Sequence, residues 1–328
     1  MAKEKPVFEH KFDVGEAIGT PWNLPGGRNF LTRIVLWGTG IILVVYALFG
    51  RGFLASYGDF ILKASEIEQA GNQADPAAVA EMLSGMWAMM GSMLILGLFA
   101  WLVMVSIEAA MHKNLFRGTD HGVFPLRFGK DELRVLLAQF VIFIIVMIFY
   151  IVGVFLLTFL FVGAAGLASS NGALGTVLGI AAFISFIVFV FFLVRIMISW
   201  APAAALSVRD NQQRLFEGWE ITNGRSWPLF GTYLVTFLIG YIVIYAIMIV
   251  GGFIAFGNMD FLSLMMSTSD DPAALMTQMT EAIQSPRVML PLVIFTIAYT
   301  FATLLWYIQI WGVGAYMARL DAKEKGLI

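Results

Sequence analysis

The chain has 328 residues, of which 59% are hydrophobic and 13% are charged, and its formal net charge is −2. Its mean hydropathy is +0.83. Soluble domains carry about 25% charged residues, so this composition excludes an ordinary soluble protein. The chain has no cysteine, which excludes disulfides, thiolate nucleophiles and thiolate metal sites.

Residues 1–30 precede the first long apolar run, and we expect them to form an arm whose end lies on the membrane. Aromatic residues such as Phe12 and Trp22 are scattered among charges and glycines, while Pro21 and Pro25 interrupt any long helix. Trp22 is suited to an interfacial anchor. The arm lacks the short apolar core and small-residue cleavage site of a signal peptide, so we expect no cleavage.

Six apolar stretches follow, each long enough for a transmembrane helix, which needs about 20 residues. A segment surrounded by lipid must satisfy its own backbone hydrogen bonds, so all six are predicted to be helical. They lie near Leu31–Phe49, Trp87–Ile107, Val135–Val162, Leu174–Trp200, Leu229–Phe256 and Val288–Tyr316. The sequence therefore predicts an all-α integral membrane protein with a membrane domain over residues 31–318.

Short motifs recur along the chain and predict an internal repeat. The recurring pairs are Gly52–Ala55 with Gly252–Ala255, Asp75–Ala78 with Asp271–Ala274, Leu115–Gly118 with Leu215–Gly218, and Phe124–Leu126 with Trp227–Leu229. The natural unit is a helix hairpin, giving three hairpins near residues 31–110, 133–206 and 229–318. All three begin on the same side of the membrane, so we predict parallel repeats.

Two connections between the spans contain helix start signals. Asp75 is a good N-cap and Pro76 fits the first helical position, and Asp271 and Pro272 repeat this arrangement. We therefore expect one short helix in each of these two loops. Residues 168–173, between the third and fourth spans, predict a tight turn instead.

The distribution of Lys and Arg predicts the orientation. With the N-terminus inside, only Arg51, Lys63 and Arg287 of the 20 basic residues lie in outer loops. Because basic residues accumulate on the cytoplasmic side, both termini are predicted to be cytoplasmic, with residues 319–328 as a tail. The absence of cysteine and the compact loops are typical of a bacterial inner-membrane protein.

The sequence offers no catalytic set. It contains no G-x-S-x-G, Walker A or H-E-x-x-H pattern, and no ionisable residue lies near the middle of a predicted span. The second observation argues against a proton-driven pump. His112, Asp120 and His121 share an inner loop, but their spacing is not specific for a metal. Methionines of the outer loops could bind Cu(I), although flexible apolar packing explains them more simply. We expect no enzyme activity, cofactor or bound metal.

Glu108 and Arg195 lie at matching depths near the inner ends of the second and fourth spans. Arg195 precedes Trp200 by five residues, which brings the inner interface within reach of its long side chain. The two residues could together bind a headgroup phosphate or close an inner gate. The simpler interpretation, which we favour, is a snorkelling arginine and a helix-end glutamate.

The segments Arg195–Ala205 and Leu215–Gly231 carry an Arg and a Pro at a helix end and then W-x-I-T-x-G-R-x-W-P-L-x-G. This resembles the inner-loop signature of bacterial multi-span proteins that include the membrane domain found with some glycerophosphodiester phosphodiesterases and the YciC-like uncharacterised proteins. Ile221 replaces the usual Leu of that signature, and Pro228 follows its second Trp. The resemblance implies a multi-span architecture. It transfers no active-site residue, because this sequence contains no phosphodiesterase domain.

We therefore expect a non-enzymatic scaffold or accessory protein that contacts lipids, a partner protein or a second copy, and no nucleic acid. The contacts would use the inner loops Met111–Arg134 and Arg209–Ser226. The candidate contact residues are Arg117, Arg195, Trp219, Arg225 and Trp227. The alternative is a transporter or channel for a lipid or small amphiphile, with a cavity between hairpins that is gated near Glu108 and Arg195.

Overall fold

The structure is a computed structural model that describes residues 11–70, 75–119, 122–170, 172–256 and 286–328. Within these ranges the secondary structure is helical, without a β-strand. Six helices are long and apolar enough to cross a membrane. The predicted all-α class and the six apolar helices are therefore confirmed, and they indicate a multi-pass membrane protein.

The helices follow one another with short connections. In chain order they are α1 (Val14–Gly19), a 3₁₀ turn (Thr20–Asn23), α2 (Gly27–Ala70), α3 (Pro76–Arg117), α4 (Lys130–Ser170), α5 (Gly172–Trp200), α6 (Ala203–Arg209), α7 (Glu217–Thr222), α8 (Ser226–Phe256) and α9 (Pro286–Glu324). The tight turn predicted over residues 168–173 is too long, because α4 continues to Ser170 and α5 begins at Gly172; residue 171 lies outside the described residues. The segment predicted as a tail largely belongs to α9, which continues to Glu324.

The first two long helices extend well beyond the predicted spans. They have 44 and 42 residues, which is about 65 Å at 1.5 Å per residue, against a hydrocarbon core of about 30 Å. Asp75 caps α3 as predicted, since its carboxylate accepts a hydrogen bond of 2.9 Å from the Ala77 N–H. The prediction of a separate short helix after this cap is wrong. The helix continues to Arg117, because a single glycine costs only about 1 kcal/mol in a helix. The corresponding prediction at Asp271 and Pro272 lies outside the described residues.

The long helices associate as sequential pairs. The most extensive helix contacts in the described chain are those of α2 with α3, α4 with α5, and α8 with α9. Contacts between different pairs are sparser and involve α2 with α9, α3 with α4, and α5 with α8. The long helices thus pair in chain order, while the bounds of the predicted hairpins and their relation as repeats stay predictions.

The core of the protein lies at one end of the helices, which we call the packed end. It is formed by the segments 11–34, 105–119, 122–134, 196–229 and 308–328. Its centre is α6, whose residues Ala203–Val208 are all buried among α3, α4 and α9. Small side chains allow these helices to approach closely. Large apolar residues fill the remaining space, including Ile34, Met111 and Ile308, each at most 1% exposed.

The N-terminal arm packs against the packed end of α9. The Asp13 N–H donates a 3.1 Å hydrogen bond to the Tyr316 hydroxyl, and the Phe12 ring meets the Tyr316 ring edge-on. A Cβ atom at Gly312 would lie only 2.3 Å from Pro21 Cγ, so the absence of a side chain at position 312 permits this contact. The arm is therefore a defined part of the fold from Lys11 onward.

The rest of the six long helices, which we call the apolar half, presents large hydrophobic side chains outward. Leu94, Phe159 and Phe253 are exposed by 72%, 68% and 76%. Soluble monomers rarely expose contiguous apolar patches larger than a few hundred Å². Exposure on this scale is typical of helices that face lipid.

Candidate functional site

Arg117, one of the predicted contact residues, is held within the packed end. Its guanidinium lies 2.7 Å from the Asp131 carboxylate and 2.9 Å from the Asn211 side-chain oxygen. It also donates to the Val208 carbonyl. Arg134 binds the same Asp131 carboxylate at 2.5 Å. Arg117 thus links α3 to α4 and to the segment after α6, a structural role that uses much of its hydrogen-bonding capacity.

Arg225, another predicted contact residue, also binds a carboxylate of the protein. It is 5% exposed, and its guanidinium forms an ion pair with Glu324 at the end of α9. This placement differs from the predicted position facing headgroups. The physical reason is that the loop before α8 folds back onto the end of α9. Spacing along the sequence gives no sign of this contact, since the partners are 99 residues apart.

A third connection joins α6 to α9 through Arg209. Its guanidinium lies 2.8 Å from Asp321 and 2.6 Å from the adjacent Asp210. Burial alone would raise the pKa of Asp210, but hydrogen bonding and charge from Arg209, aided by Arg214 and Lys325, hold this pKa below its ordinary value. The charged form of Asp210 is therefore favoured in the folded protein.

A buried polar cluster forms around Glu108, one of the two predicted gate residues. Glu108 is 3% exposed; His112 Nε2 lies 3.2 Å from one of its oxygens, and the Gln139 amide donates to the other. The Trp101 indole N–H in turn donates to the Gln139 oxygen at 2.5 Å. The cluster joins α3 to α4. Because α3 continues past Glu108, a spacing of four residues places Glu108 and His112 on the same face of this helix. The prediction that His112 lies in a loop obscured this signal, and the contact with Gln139 had none.

The structure does not bring Glu108 and Arg195 together as a gate pair. Arg195 lies on α5 with its guanidinium carbon 5.8 Å from the ring centroid of Trp219. Within the described residues no carboxylate lies within 4.0 Å of Arg195, in contrast to Arg117, Arg209 and Arg225. Arg195 and Glu108 therefore belong to different sites.

Arg195 opens onto a cavity of about 460 Å³ between α5 and the beginning of α8. Ser226, Trp227 and Phe191 are among the other lining residues. Trp227 is 71% exposed, and its ring centroid lies 6.0 Å from that of Phe191. The structure thus places two of the five predicted contact residues, Arg195 and Trp227, in the lining of one cavity, and a third, Trp219, beside Arg195.

A second cavity, of about 510 Å³, adjoins the first. The two share Val194, Ile198 and Phe230 as lining residues. The second continues along α8 and α9 with Phe237 and Tyr307. Its lining is almost entirely apolar, so the pair of cavities combines a cationic end with an apolar continuation.

A third cavity, of about 710 Å³, lies between α8 and α9; we call it the α8–α9 cleft. Along α9 it extends from Gln309 to Ile294, and 15 residues of helix span about 22 Å. Trp22 of the arm also lines the end near Gln309. Once its amide is oriented to satisfy both neighbours, Gln309 donates to the Ile18 carbonyl at 2.9 Å and accepts from the Trp22 indole. The arm is thereby fastened beside the packed end of the cleft.

The described ranges contain no group of three His, Asp or Glu side chains that could hold a metal ion. His112, one of the three residues considered for such a site, is bound to Glu108. Asp120 and His121 lie outside the described residues, as do the methionines between residues 257 and 285. The possibility of metal binding by those segments therefore stays an untested interpretation.

No protein-family model matches the chain, and neither a curated protein nor a solved structure matches it significantly. The resemblance to the multi-span family with the W-x-L-T-x-G-R-x-W-x-L-x-G signature stays a prediction.

Proposed function

We propose that the protein is a non-enzymatic, lipid-binding scaffold of the bacterial inner membrane with both termini in the cytoplasm. The observation that carries this proposal is the α8–α9 cleft, which is apolar, elongated and open along the face of a helix pair. Phospholipid acyl chains would occupy it, and the packed end would lie at the cytoplasmic surface. The predominance of Lys and Arg at the packed end supports this orientation.

The dimensions of the cleft favour an acyl chain over a compact metabolite. Its volume of about 710 Å³ is that of a small-molecule site, but its lining offers few polar groups to orient a polar ligand. An empty apolar space forfeits dispersion contacts along its walls, so in a bilayer it would fill with hydrocarbon. Gln309 and Trp22 at the packed end provide the polar boundary that such a chain would meet.

The cytoplasmic loops have a different role in this proposal from the one expected from sequence. Arg117, Arg209 and Arg225 are engaged with the protein's own carboxylates, so these loops hold the helix pairs together. In this proposal, lipids contact the clefts between helices and Arg195. A partner protein or a second copy would bind a scaffold whose packed end is already rigid.

Transport of a lipid or small amphiphile is the second candidate. The length of the α8–α9 cleft favours it, because about 22 Å exceeds half of a hydrocarbon core of about 30 Å. The predicted gate of Glu108 with Arg195 lacks support, because the two residues have different partners. A path for transport would therefore follow the cleft.

Native mass spectrometry of the full-length protein, released from nanodiscs made with its own membrane, tests the proposal. We expect phospholipid retained in stoichiometric amounts. Replacing Ala298 and Ala302, which line the cleft, with Phe should reduce retention. The matched control is Val188→Phe, which adds the same ring at an exposed position on α5 outside the described cavity linings.

Two results would contradict lipid binding in the cleft: no retained lipid, or equal retention by the filled variant and the control. A retained protein without lipid would support the scaffold through a protein partner alone. Lipid translocation in reconstituted liposomes that the filled variant abolishes would favour transport over scaffolding.

A further inference from the structure

Arg195 and its cavity define the polar end of a second lipid site. We propose that this cavity binds the phosphodiester headgroup of an anionic phospholipid, and that the adjoining cavity along α8 holds an acyl chain of the same molecule. This inference rests on the proposed lipid-binding function and specifies the lipid class and the residues that recognise its headgroup.

Arg195 is a cation without an acidic partner among the described residues. Three arginines of the packed end, Arg117, Arg209 and Arg225, each bind a carboxylate of the protein, whereas Arg195 has none within 4.0 Å. Arg195 is partly buried and faces a cavity with aromatic walls. An unpaired cation near hydrocarbon is costly, so this position favours an anion as its partner. The planar guanidinium matches the oxygens of a phosphate through two parallel hydrogen bonds.

Trp219 lies beside the Arg195 guanidinium. Its ring centroid is 5.8 Å from the guanidinium carbon, a distance suited to cation–π attraction. A cation–π contact uses no N–H donor, so the donors of Arg195 can still bind a phosphate. Trp227, exposed by 71%, and Trp219, exposed by 40%, have the amphipathic rings that favour the headgroup level of a bilayer.

The beginning of α8 reinforces the site. Gly224 adopts a φ of 84°, a left-handed conformation that glycine tolerates, and the helix begins two residues later at Ser226. The first N–H groups of a helix lack intrahelical acceptors, and the helix dipole places partial positive charge there. Gly224 and Ser226 line the same cavity as Arg195. Two sources of positive potential therefore converge on one space.

The Arg195 cavity is continuous with an apolar cavity. Val194, Ile198 and Phe230 line both the Arg195 cavity and the 510 Å³ cavity. The second cavity continues toward the apolar half with a nearly apolar lining. A molecule with an anionic head and a hydrocarbon tail fits this sequence of environments. Inorganic phosphate would satisfy only the first cavity, and a neutral lipid only the second.

The test presents the delipidated, full-length protein with equal amounts of phosphatidylglycerol and phosphatidylcholine carrying identical acyl chains, and native mass spectrometry counts the bound lipids. Wild type should retain phosphatidylglycerol preferentially. Arg195→Gln should lower the ratio of bound phosphatidylglycerol to phosphatidylcholine about tenfold, the scale of one lost charge-assisted contact. Arg195→Lys should give an intermediate ratio, because an ammonium keeps the charge but not the bidentate geometry.

The matched control is Arg28→Gln, which removes the same charge at an exposed position on α2 and should leave the ratio unchanged. All variants are compared with wild type by elution volume and melting temperature. Trp219→Leu provides a second variant if Arg195→Gln fails to fold, and it should also lower the ratio. An excess of inorganic phosphate should not displace the lipid, since the acyl chain contributes to binding.

The outcomes separate this inference from the proposed function. If wild type and Arg195→Gln retain both lipids in the same ratio, Arg195 only snorkels and the headgroup site is overturned, while lipid binding stands. Displacement of phosphatidylglycerol by inorganic phosphate would identify a site for free anions and overturn the lipid assignment. If no variant retains any lipid, the proposed function itself fails.

Discussion

Different interactions stabilise the packed end and the apolar half of this protein. At the packed end, ion pairs such as Arg117 with Asp131 and Arg225 with Glu324 connect different helices around the buried helix α6. In the apolar half, each helix packs mainly against its immediate partner. One cavity, the α8–α9 cleft, opens within a pair, and another opens where α5 meets α8 and α9. The comparison indicates that one end fixes the arrangement of the helix pairs while the other leaves space for hydrocarbon.

The difference follows from the surroundings that we propose for the two regions, which are water for the packed end and lipid for the apolar half. In the proposed orientation water surrounds the packed end, where most of the fully buried residues lie, and drives its apolar side chains together. Lipid tails are as apolar as leucine, so in a bilayer no comparable force would close the gaps between helices in the apolar half. A membrane protein can therefore be tightly specified at one end and open to lipid at the other.

The largest expected effect is loss of a buried charge partner at the packed end. Glu132, 2% exposed, forms an ion pair with Lys113 and accepts a 2.9 Å hydrogen bond from the Gly129 N–H. Glu132→Ala would leave the Lys113 ammonium buried without this carboxylate and should lower the free energy of unfolding by about 3–5 kcal/mol. Unfolding by titration with a denaturing detergent measures this loss.

The control for Glu132→Ala is Glu220→Ala, which removes an exposed carboxylate of α7 and should change stability by less than about 0.5 kcal/mol. Equal stability of the two variants would contradict this account, because the stability of the packed end would then not depend on its internal charge pairs.

A pair of glycine substitutions should show the difference in packing. A Cβ at Gly314 would lie 2.8 Å from the Ala201 carbonyl oxygen, so Gly314→Ala should destabilise the packed end by about 1–3 kcal/mol. At Gly179, in the apolar half, a Cβ would have no neighbour within 4 Å. Gly179→Ala should stabilise the helix by up to about 1 kcal/mol. Melting temperatures of both variants in the same detergent provide the measurement, and shifts in the same direction would contradict the account.

The smallest predicted effect is a pH dependence at the packed end. The pKa of Asp210 is lowered in the folded protein, so its contribution to stability is fully present above its ordinary unfolded pKa of about 4. This contribution is lost as the pH falls through the lower folded pKa. Wild type should therefore lose stability below about pH 4 more steeply than Asp210→Asn. Parallel pH profiles of the two proteins would show that the Arg209 pair contributes nothing.

Sequence predicted the apolar helices well and the packed end poorly. The six apolar helices could be predicted because length and hydropathy alone define a helix in lipid. The Asp75 cap could be predicted because its sequence signal is local. The long extensions of α2 and α3 were missed, since their glycines weaken a helix without ending it.

The candidate site was only partly predictable for a related reason. Arg195, Trp219 and Trp227 were identified as interfacial residues; Arg195 and Trp227 line one cavity, and Trp219 lies beside Arg195. Arg225 was assigned to headgroups because its carboxylate partner, Glu324, lies 99 residues away in the sequence. Pairings over such separations depend on how the loops fold back, which neither hydropathy nor local motifs encode.

The central claim, a rigid packed end beneath a lipid-responsive apolar half, is most directly tested by spin-label distances. Because the sequence has no cysteine, cysteines can be introduced in chosen pairs and spin-labelled without labelling at other positions. A pair at Gln212 and Lys323 reports the packed end, and a pair at Val162 and Val250 reports the separation of two helix pairs in the apolar half. Pulsed electron–electron double resonance measures both distances in bilayers of lipids with short and with long acyl chains.

The account predicts one narrow packed-end distance in every lipid and an apolar-half distance that shifts with chain length. A lipid-dependent packed end, or an apolar half as narrow and invariant as the packed end, would contradict it.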